Sequence, residues 1–473
     1  MADYQHGVYG VMKDAVIANV GEASTAVVAI GTLPVHLVAD SGNLVGVPLL
    51  MPDASAKSKY GYSPDWEKFT LCEVMQAFLG GSSGNIGGLY CINVLDPATH
   101  KAATDTEAEV TFTDGVGTIK DDLAILSTIA VTGITAANTS AVYDWSTGVT
   151  TITAVGATGA KTVTYRRVTP ANVTAAQVIA ALDAVDDLYP LQNVVPNMLI
   201  APGWSDTASV YAALVSKAQA INDHFFGFVL ADIPTSASAD TLEEAIAWKA
   251  ANGYTSKFSK VCWPCVKDTS GDIYHLSTLF AREMVRNDAI HDGVPFETAS
   301  NVAVADGGIC LADGTTVKMY LETGNDLNEY GISTAIAWGG RVRLWGGHTA
   351  GFINGSSSLE ASAIFDTNIR MLCYVINGFQ TRWIDSIDQP MTLALKETIL
   401  FNEQALLDGL VAQGALVGTP TVVFTPTNNT TTDIVQGVFT WDMSMTPTPQ
   451  FKTARAIVAY TTDGFDAYIS EGE

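Results

Sequence analysis

The sequence is poor in charge and in cysteine for its length. Charged residues make up 15% of the 473 residues, and 24 Lys and Arg stand against 49 Asp and Glu, a formal net charge of −25. Phosphate groups repel so acidic a chain, so the composition argues against nucleic acid and anionic lipid as partners. The six cysteines are scattered along the chain, which suits reduced thiols better than a disulfide framework.

Segments that direct a protein to or across a membrane are also missing. The opening residues, MADYQHGVYG, lack the basic and apolar regions of a signal peptide. No apolar run is long enough to span a bilayer. We therefore expect synthesis in a cytosol and no membrane insertion.

Motifs of catalysis are absent or stand in the wrong context. The histidines form no H-E-x-x-H or H-x-H group, and there is no G-x-G-x-x-G. GGSSG at 80–84 matches G-x-S-x-G, but it follows a predicted helix and precedes a predicted strand, the reverse of a nucleophile elbow. GATGAKT at 156–162 lies among predicted strands, whereas a phosphate-binding loop must open a helix. CWPC at 262–265 lies in a predicted strand without a second cysteine pair, which favours packed thiols over a zinc or redox site. The sequence therefore offers no catalytic, cofactor-binding or metal-binding residue.

What the chain does contain is apolar residues in alternating patterns. Hydrophobic residues make up 48% of the sequence, and the length predicts two to four domains. Short apolar runs predict buried strands, and amphipathic stretches at 64–78, 174–188, 206–221, 240–251 and 277–289 predict helices. The runs are TAVVAIG, GGLYCINVL, NMLIAPG, FGFVLADIP and KFSKVCWPCV. This alternation predicts a mainly parallel sheet covered by helices.

Two regions depart from that pattern. Between about residues 96 and 169, short alternating strands broken by Gly, Asp and Ser predict an inserted all-β unit. After about residue 345, periodic apolar residues predict helices at 359–387 and 392–413, followed by strands that include KTARAIVAYTT near the chain end. Thr174 and Asp240 are predicted to cap the helices that they precede.

The stretch AWGGRVRLWGGHTAG at 337–351 places two arginines between two Trp–Gly pairs. We interpret it as one strand with tight corners, in which Trp338 and Trp345, seven residues apart, face opposite sides. Arg341 and Arg343 then share a face and are predicted to pair with carboxylates of this subunit or of a neighbour. A structural role is favoured over ligand binding.

Several segments, taken in order, resemble one family. The chain resembles the tail sheath proteins of contractile-tailed bacteriophages and of phage-tail-like bacteriocins. The segments that carry the resemblance are YQHGVYGV, IGTLP, NMLIAPGWSDTASVYAAL, LNEYGISTAIAWGGRVRLWGGHT, IDQPMTLALKETILFNEQALLDGLVAQGALVG and MTPTPQFKTARAIVAY. The likeness covers most of the chain except about residues 96–169.

The resemblance implies a multi-domain α/β (α+β) sheath-type core with an inserted all-β domain and extended N- and C-terminal arms. The expected parts are an N-terminal arm at 1–24, core at 25–95, a β-sandwich-like domain at 96–170, core at 171–345 and a C-terminal sheath domain at 346–473. The arms would add strands to sheets of neighbouring subunits. The residues expected to act there are Tyr4, His6 and Val8 in one arm and Ile457, Val458 and Tyr460 in the other.

The resemblance also implies a function. Subunits would form hexameric rings stacked helically around a tail tube, and contraction would drive the tube through the target envelope. The expected partners are further copies, the tail tube protein, and baseplate and tail terminator proteins, in a virion assembled in the host cytoplasm without cofactors. The family's tube-contact helix corresponds to 392–413, where Lys396, Glu397 and Glu403 are expected to lie away from the apolar stripe. Two alternatives from the residues alone are a hydrolase or sugar-binding enzyme, and a binding module displayed on the β unit.

Overall fold

The computed structural model describes residues 25–38, 44–80, 86–304, 307–465 and 468. The strands β1 to β19, in chain order, are Ala26–Gly31, Pro48–Leu50, Leu89–Asn93, Thr106–Phe112, Val116–Ile119, Ala130–Val131, Thr139–Asp144, Val149–Ala154, Gly159–Tyr165, Pro196–Ile200, Phe228–Asp232, Ser259–Cys262, Cys265–Lys267, Ile273–His275, Gly308–Cys310, Ile332–Trp338, Arg341–Trp345, Thr421–Val423 and Asp442–Ser444. The helices α1 to α11 are Ala56–Tyr60, Thr70–Leu79, Ala175–Ala180, Leu188–Gln192, Ala208–Ala218, Leu242–Ala251, Leu276–Ile290, Leu321–Asn328, Asp366–Trp383, Leu393–Ala412 and Thr431–Val435. None of the described helices is both long and apolar enough to cross a membrane.

An eight-stranded sheet forms the centre of the subunit, in the order β17-β16-β12-β11-β10-β1-β3-β2. The pairs from β16 through β12, β11, β10 and β1 to β3 are parallel, and β2 and β17 close the two edges antiparallel. Every residue of β1, β3 and β11 is buried, because helices cover both faces of the sheet. The apolar runs therefore mark the buried parallel strands that the sequence predicts.

The run KFSKVCWPCV forms two strands, and the prediction of a single strand is wrong. Strand β12 ends at Cys262 and pairs with β11 and β16, whereas β13 begins at Cys265 and joins a separate sheet with β14 and β15. Trp263 and Pro264 lie between the two strands. Because proline donates no main-chain hydrogen bond, it marks the point where the chain leaves the central sheet.

Helices exist where periodicity predicts them, but their bounds differ. Thr174 caps α3 with a capping box to Gln177, as predicted. The segment 240–251 is capped by Thr241 instead of Asp240, because Thr241 has extended backbone and its hydroxyl accepts the Glu244 N–H. The helix predicted over 359–387 begins only at Asp366, since Phe365 is extended and forms a bridge with His348. The helix predicted from residue 64 likewise begins only at Thr70.

Residues 106–165 form two antiparallel sheets, β4-β9-β6 and β5-β8-β7, with a hydrophobic cluster of their own. The cluster includes Phe112, Ile152 and Val163, which are 2%, 0% and 0% exposed. The two ends of the segment meet where Lys101 and Val168 form an antiparallel bridge. The segment therefore leaves the main chain path and returns to it at one place.

The C-terminal region packs around α9 and α10. Its hydrophobic cluster joins Met371 and Val375 of α9 to Leu407 and Leu410 of α10, and Val422 of β18 packs there too. Strands β18 and β19 form a two-stranded sheet. Residues 449–461 adopt neither helix nor strand and are exposed from 451 onwards, so the strand predicted over KTARAIVAYTT does not form and pairs with none of the described strands.

Residues 332–345 form a hairpin, so the interpretation of the stretch 337–351 as one continuous strand is wrong, and Trp338 and Trp345 lie on the same face instead of opposite faces. Strands β16 and β17 pair antiparallel with Trp338 opposite Arg341, and the chain reverses at Gly339 and Gly340. Their φ values of +60° and +76° are left-handed, which a two-residue hairpin turn of this kind requires and glycine allows. Two glycines in succession between apolar strands were the sequence signal for this turn.

Candidate assembly surfaces

Of the two arginines predicted to lie between subunits, one is exposed at the hairpin tip. Trp338 is 53% exposed, and Arg341 beside it is exposed as well. Arg343 is half-buried, and its Nη1 donates to the carbonyl of Asn301 at 2.8 Å. Neither guanidinium pairs with a carboxylate among the described residues, so the predicted pairing is not made within that part of the chain.

The structure of α10 shows that one of the three expected tube contacts is not at the surface. Glu403 is fully buried, not free: its carboxylate accepts hydrogen bonds from Arg382 Nε at 2.9 Å and Nη2 at 2.6 Å and from Trp383 Nε1 at 2.6 Å. It lies on the buried stripe formed by Ile399, Leu407 and Leu410. The buried stripe is therefore offset from the predicted stripe of Leu395, Ile399, Leu406 and Leu410. It includes an acidic residue whose charge is neutralised by Arg382 of α9.

The other two expected tube contacts lie at the surface of α10. Lys396 Nζ is 2.8 Å from Glu397 Oε1, and its side chain also lies over the ring of Phe424. The Glu397 side chain is 66% exposed. Two large apolar side chains on the same helix are also exposed, Leu393 at 80% and Phe401 at 74%. This surface mixes apolar and charged groups, as the rim and core of a protein interface do.

The C-terminal segment is anchored at its start and exposed beyond it. Gln450 Nε2 donates to Asp366 Oδ1 at 3.2 Å and to Thr367 Oγ1 at 2.9 Å, at the beginning of α9. Further along, Ile457, Val458 and Tyr460 are 97%, 90% and 80% exposed. So much exposed apolar surface on extended backbone is typical of a segment that binds a partner. The N-terminal residues Tyr4, His6 and Val8 lie outside the described residues.

Buried ion pairs, which the sequence did not predict, join α9 to the central sheet and to α7. Lys260 on β12 lies 2.9 Å from Asp366 Oδ2, and both side chains are fully buried. Lys260 also donates to Ser333 Oγ at 3.0 Å and to the carbonyl of Gly346 at 2.8 Å. A second buried pair joins Arg370 to Asp288. The start of the C-terminal segment thus rests on a charge network that reaches the central sheet.

An acidic cavity of about 570 Å³ opens at the carboxyl ends of β11 and β12. Asp232 is buried and accepts from the Ser277 N–H at 3.0 Å and the Ser277 hydroxyl at 2.5 Å, and burial raises its pKa to about 6. His275 Nδ1 is 2.7 Å from Glu73 Oε2. Burial alone would lower the pKa of His275, but the carboxylates of Glu73 and Asp232 raise it to about 10. Acidic residues directly after predicted strands were the available signal for this cavity.

The sequence motifs set aside above lie in structural positions or outside the described residues. All six cysteines are free and buried, and burial raises the pKa of the thiols of Cys262 and Cys265 well above the ordinary value. Residues 156–162 form the turn before β9 and its first residues. Residues 81–84 of the GGSSG stretch lie outside the described part. Within the described ranges no cluster of three or more potential metal ligands occurs.

Comparisons with known proteins give similar proteins of one kind. No protein-family model matches the chain. The tail sheath protein of Burkholderia phage BcepMu is 28% identical over 454 aligned residues, 88% of each chain. A chain of the anti-feeding prophage baseplate has a TM-score of 0.57 and 15% identity over 98% of this chain and 99% of its own.

Two further solved structures share the fold. A chain of the extracellular contractile injection system PVC sheath complex in its contracted state has a TM-score of 0.56 and 14% identity over 98% and 99% of the two chains. The sheath tail protein of Desulfitobacterium hafniense has a TM-score of 0.52 and 12% identity over 88% and 93%. In sequence the chain is therefore similar to a phage tail sheath protein, and in fold it is similar to a chain of a contractile injection system sheath complex and to a sheath tail protein.

Proposed function

We propose that the chain is the repeating structural subunit of a contractile sheath. Copies polymerise around a tail tube, and shortening of the polymer drives the tube through the envelope of a target cell. The observation that carries the proposal is the likeness to a tail sheath protein over 88% of the chain. The alternatives, a hydrolase or sugar-binding enzyme and a displayed binding module, gain no support from that likeness, and we propose no enzymatic activity and no cofactor.

The assembly itself is proposed to depend on strand exchange through the arms. Residues 449–461 pair with no strand in the described part of the chain, and Ile457, Val458 and Tyr460 are exposed there. A two-stranded sheet such as β18–β19 is marginally stable alone and gains main-chain hydrogen bonds from an added strand. We propose that the C-terminal segment of one copy pairs with this sheet of another. The N-terminal arm with Tyr4, His6 and Val8 would act in the same way.

Contact with the tube is proposed for the exposed face of α10. Leu393 and Phe401 offer apolar surface there. Glu397 offers an exposed charge and Lys396 a half-buried one. Each exposed charge pair contributes only about 0.2–1 kcal/mol, so that contraction can release a contact that is strong only when summed over many subunits. The buried Glu403 takes no part in it.

The larger particle follows from the same proposal. Subunits would form hexameric rings stacked helically, with the baseplate at one end and a tail terminator at the other. The particle would be a virion tail assembled in the cytoplasm of a bacterial host. Neither nucleic acid nor membrane insertion has a role in this arrangement, in keeping with a net charge of −25.

Electron microscopy of the purified full-length chain tests the proposal. We expect rings or tubular polymers of uniform width above a threshold concentration. Particles that remain monomeric at all concentrations and with purified tube present would contradict a sheath function. Co-sedimentation with tubes of the cognate tube protein separates the tube contact from self-assembly, because sheath wrapped on a tube pellets with it.

A further inference from the structure

The hairpin tip is a sheet face that none of the described elements covers. Trp338 and Arg341 stand opposite each other on β16 and β17, on the same face as Ile336 and Trp345. Helix α8 covers the inner part of that face, where Gly324 lies against Ile336 and Trp345. The tip extends beyond that cover, so Trp338 is 53% exposed.

Arg341 also lacks an ionic partner in the described part of the chain. Its guanidinium has no carboxylate or carbonyl partner among the described residues. Apart from Arg455 in the exposed C-terminal segment, every other arginine of the described part has such a partner. A free guanidinium in a chain of net charge −25 is unusual because acids outnumber bases two to one. Trp and Arg side by side at an exposed tip are the residue types that contribute most to protein interfaces.

The acidic cavity has the complementary properties. Five carboxylates line it, namely Glu67, Asp206, Asp232, Asp240 and Asp313, and His275 is its one basic lining residue. Asp240 and Asp313 are exposed and form the rim, whereas Asp232 is buried at the floor. Hydrogen bonds from Thr315 hold the pKa of Asp313 below its usual value, whereas the neighbouring Glu244 raises the pKa of Asp240, so Asp313 is the firmer anion of the rim. A volume of about 570 Å³ is within the range that receives a large side chain or a small ligand.

We propose that the hairpin tip of one subunit docks into the acidic cavity of a second copy, with the Arg341 guanidinium against Asp313 and Asp240 and the Trp338 ring at the rim. The occupant follows from charge complementarity, since Arg341 makes no ion pair with the acids of its own cavity. The inference rests on the proposed self-assembly of the chain. Tip and cavity are different surfaces, so each docking leaves a free tip and a free cavity, and the contact propagates as a ring or helix requires.

Charge reversal and its rescue test the contact in the full-length chain. Arg341→Glu is expected to raise the threshold concentration for polymerisation at least tenfold, because it places a carboxylate against a carboxylate. Asp313→Arg is expected to do the same. The double variant Arg341→Glu/Asp313→Arg is expected to recover most of the loss. Light scattering gives the threshold, electron microscopy the polymer form, and circular dichroism shows that each variant is folded.

Matched controls make identical charge changes on the β unit, at the exposed Lys120 and Glu109. If Arg341→Glu polymerises like Lys120→Glu, or if the double variant is no better than either single one, the docking is wrong although the proposed function stands. If the unmodified chain forms no polymer at all, the proposed function fails and the docking with it. If a free guanidinium compound binds the cavity but Arg341→Glu behaves as its control does, the cavity takes small cations instead.

Cross-linking supplies a direct measure of proximity. All six native cysteines are buried, so cysteines introduced at Arg341 and Asp313 would be the accessible thiols of the described part. Mild oxidation of polymers of this double variant is expected to give a ladder of covalent oligomers on a denaturing gel. The single variant Arg341→Cys is expected to give none. A double variant that stays monomeric on the gel after oxidation would overturn the proposal.

Discussion

At the scale of single residues, the burial of Glu403 shows what a local pattern can and cannot predict. Helical periodicity predicts a stripe of Leu395, Ile399, Leu406 and Leu410, and Ile399 and Leu410 are indeed buried. The same periodicity cannot place Glu403, because its charge is stabilised by Arg382 and Trp383, which α9 supplies from about twenty residues earlier in the chain. A buried acid is predictable only when its partner in space is known.

Replacing Glu403 should destabilise the subunit. In Glu403→Gln the side chain keeps its shape but loses the charge that accepts two hydrogen bonds from Arg382. Losing a hydrogen bond to a charged group, or leaving a buried polar group unsatisfied, costs about 1–3 kcal/mol. We therefore expect the free energy of unfolding to fall by about that amount. Urea denaturation followed by circular dichroism measures it. The control is Glu397→Gln on the same helix, whose side chain is 66% exposed and which should change stability by less than about 0.5 kcal/mol. Equal effects of the two substitutions would contradict the burial of Glu403.

The His275–Glu73 pair predicts a pH dependence with a defined sign. The folded pKa of His275, about 10, lies above its ordinary value of 6.5, so the pair stabilises the fold fully below about pH 6.5 and loses this effect as the pH rises through 10. We expect the gap in melting temperature between the native chain and His275→Gln to shrink steadily from pH 7 to pH 10. Thermal unfolding of both proteins in the same buffers isolates His275 from the other groups that titrate in this range. A gap that is constant across this range would show that His275 is not held protonated.

At the scale of elements, the strands that both sheet faces bury are the most predictable. The strands around Val28, Leu199 and Leu230 are almost entirely apolar because both faces of the sheet are covered there, and the sequence predicts all three. Elements whose ends depend on distant contacts are less predictable. Helix α9 starts at Asp366 because Phe365 pairs with His348, which lies too far back in the sequence for a local pattern to reveal. The C-terminal segment has the composition of a strand, but it pairs with no strand in the described part of the chain.

Removing the C-terminal segment should separate folding from assembly. A chain that ends at Thr453 keeps the contacts of Gln450 with Asp366 and Thr367 but loses the exposed Ile457, Val458 and Tyr460. Because the lost side chains contact little of their own subunit, stability should change by less than about 0.5 kcal/mol, whereas polymers should not form. Thermal unfolding and light scattering on one sample measure both. Normal polymer growth from the shortened chain would rule out the arm as the link, and a lowered melting temperature would show that it belongs to the subunit core.

Excising the β unit should leave assembly intact at some cost in stability. Lys101 and Val168 are bridge partners, so a short glycine linker can replace residues 102–167. The loss removes contacts with the core that include the hydrogen bonds from His36 Nε2 to the Asp122 carbonyl at 2.8 Å, from Ser63 Oγ to Asp122 Oδ2 at 2.6 Å and from Trp145 Nε1 to Ser58 Oγ at 3.0 Å. We therefore expect a lower melting temperature but sheath-like polymers of smaller outer diameter in electron micrographs. Soluble monomers that never polymerise would show that the unit lies in an intersubunit contact.

At the scale of the whole molecule, assembly must overcome the charge of the subunit. Copies with a net charge of −25 repel each other, and the repulsion acts over a Debye length of about 30 Å at about 0.01 M salt and about 8 Å at about 0.15 M. Strand addition and apolar contacts do not depend on this screening, whereas the general repulsion does. Within the subunit the acids are neutralised where they are buried, as at Lys260–Asp366 and Arg382–Glu403, so most of the excess charge lies outside these pairs.

Polymerisation should therefore increase when salt is added from about 0.01 M to about 0.15 M. The physical reason is that screening weakens the repulsion between whole subunits more than it weakens a few close pairs such as the proposed contact of Arg341. Light scattering of the full-length chain at fixed protein concentration, over a series of sodium chloride concentrations, measures the threshold for assembly. The variant Glu107→Gln/Glu109→Gln removes two exposed negative charges on β4 and should assemble at lower salt than the native chain. Polymers that dissolve as salt is added would mean that attraction between charged groups, and not arm exchange, holds the subunits together.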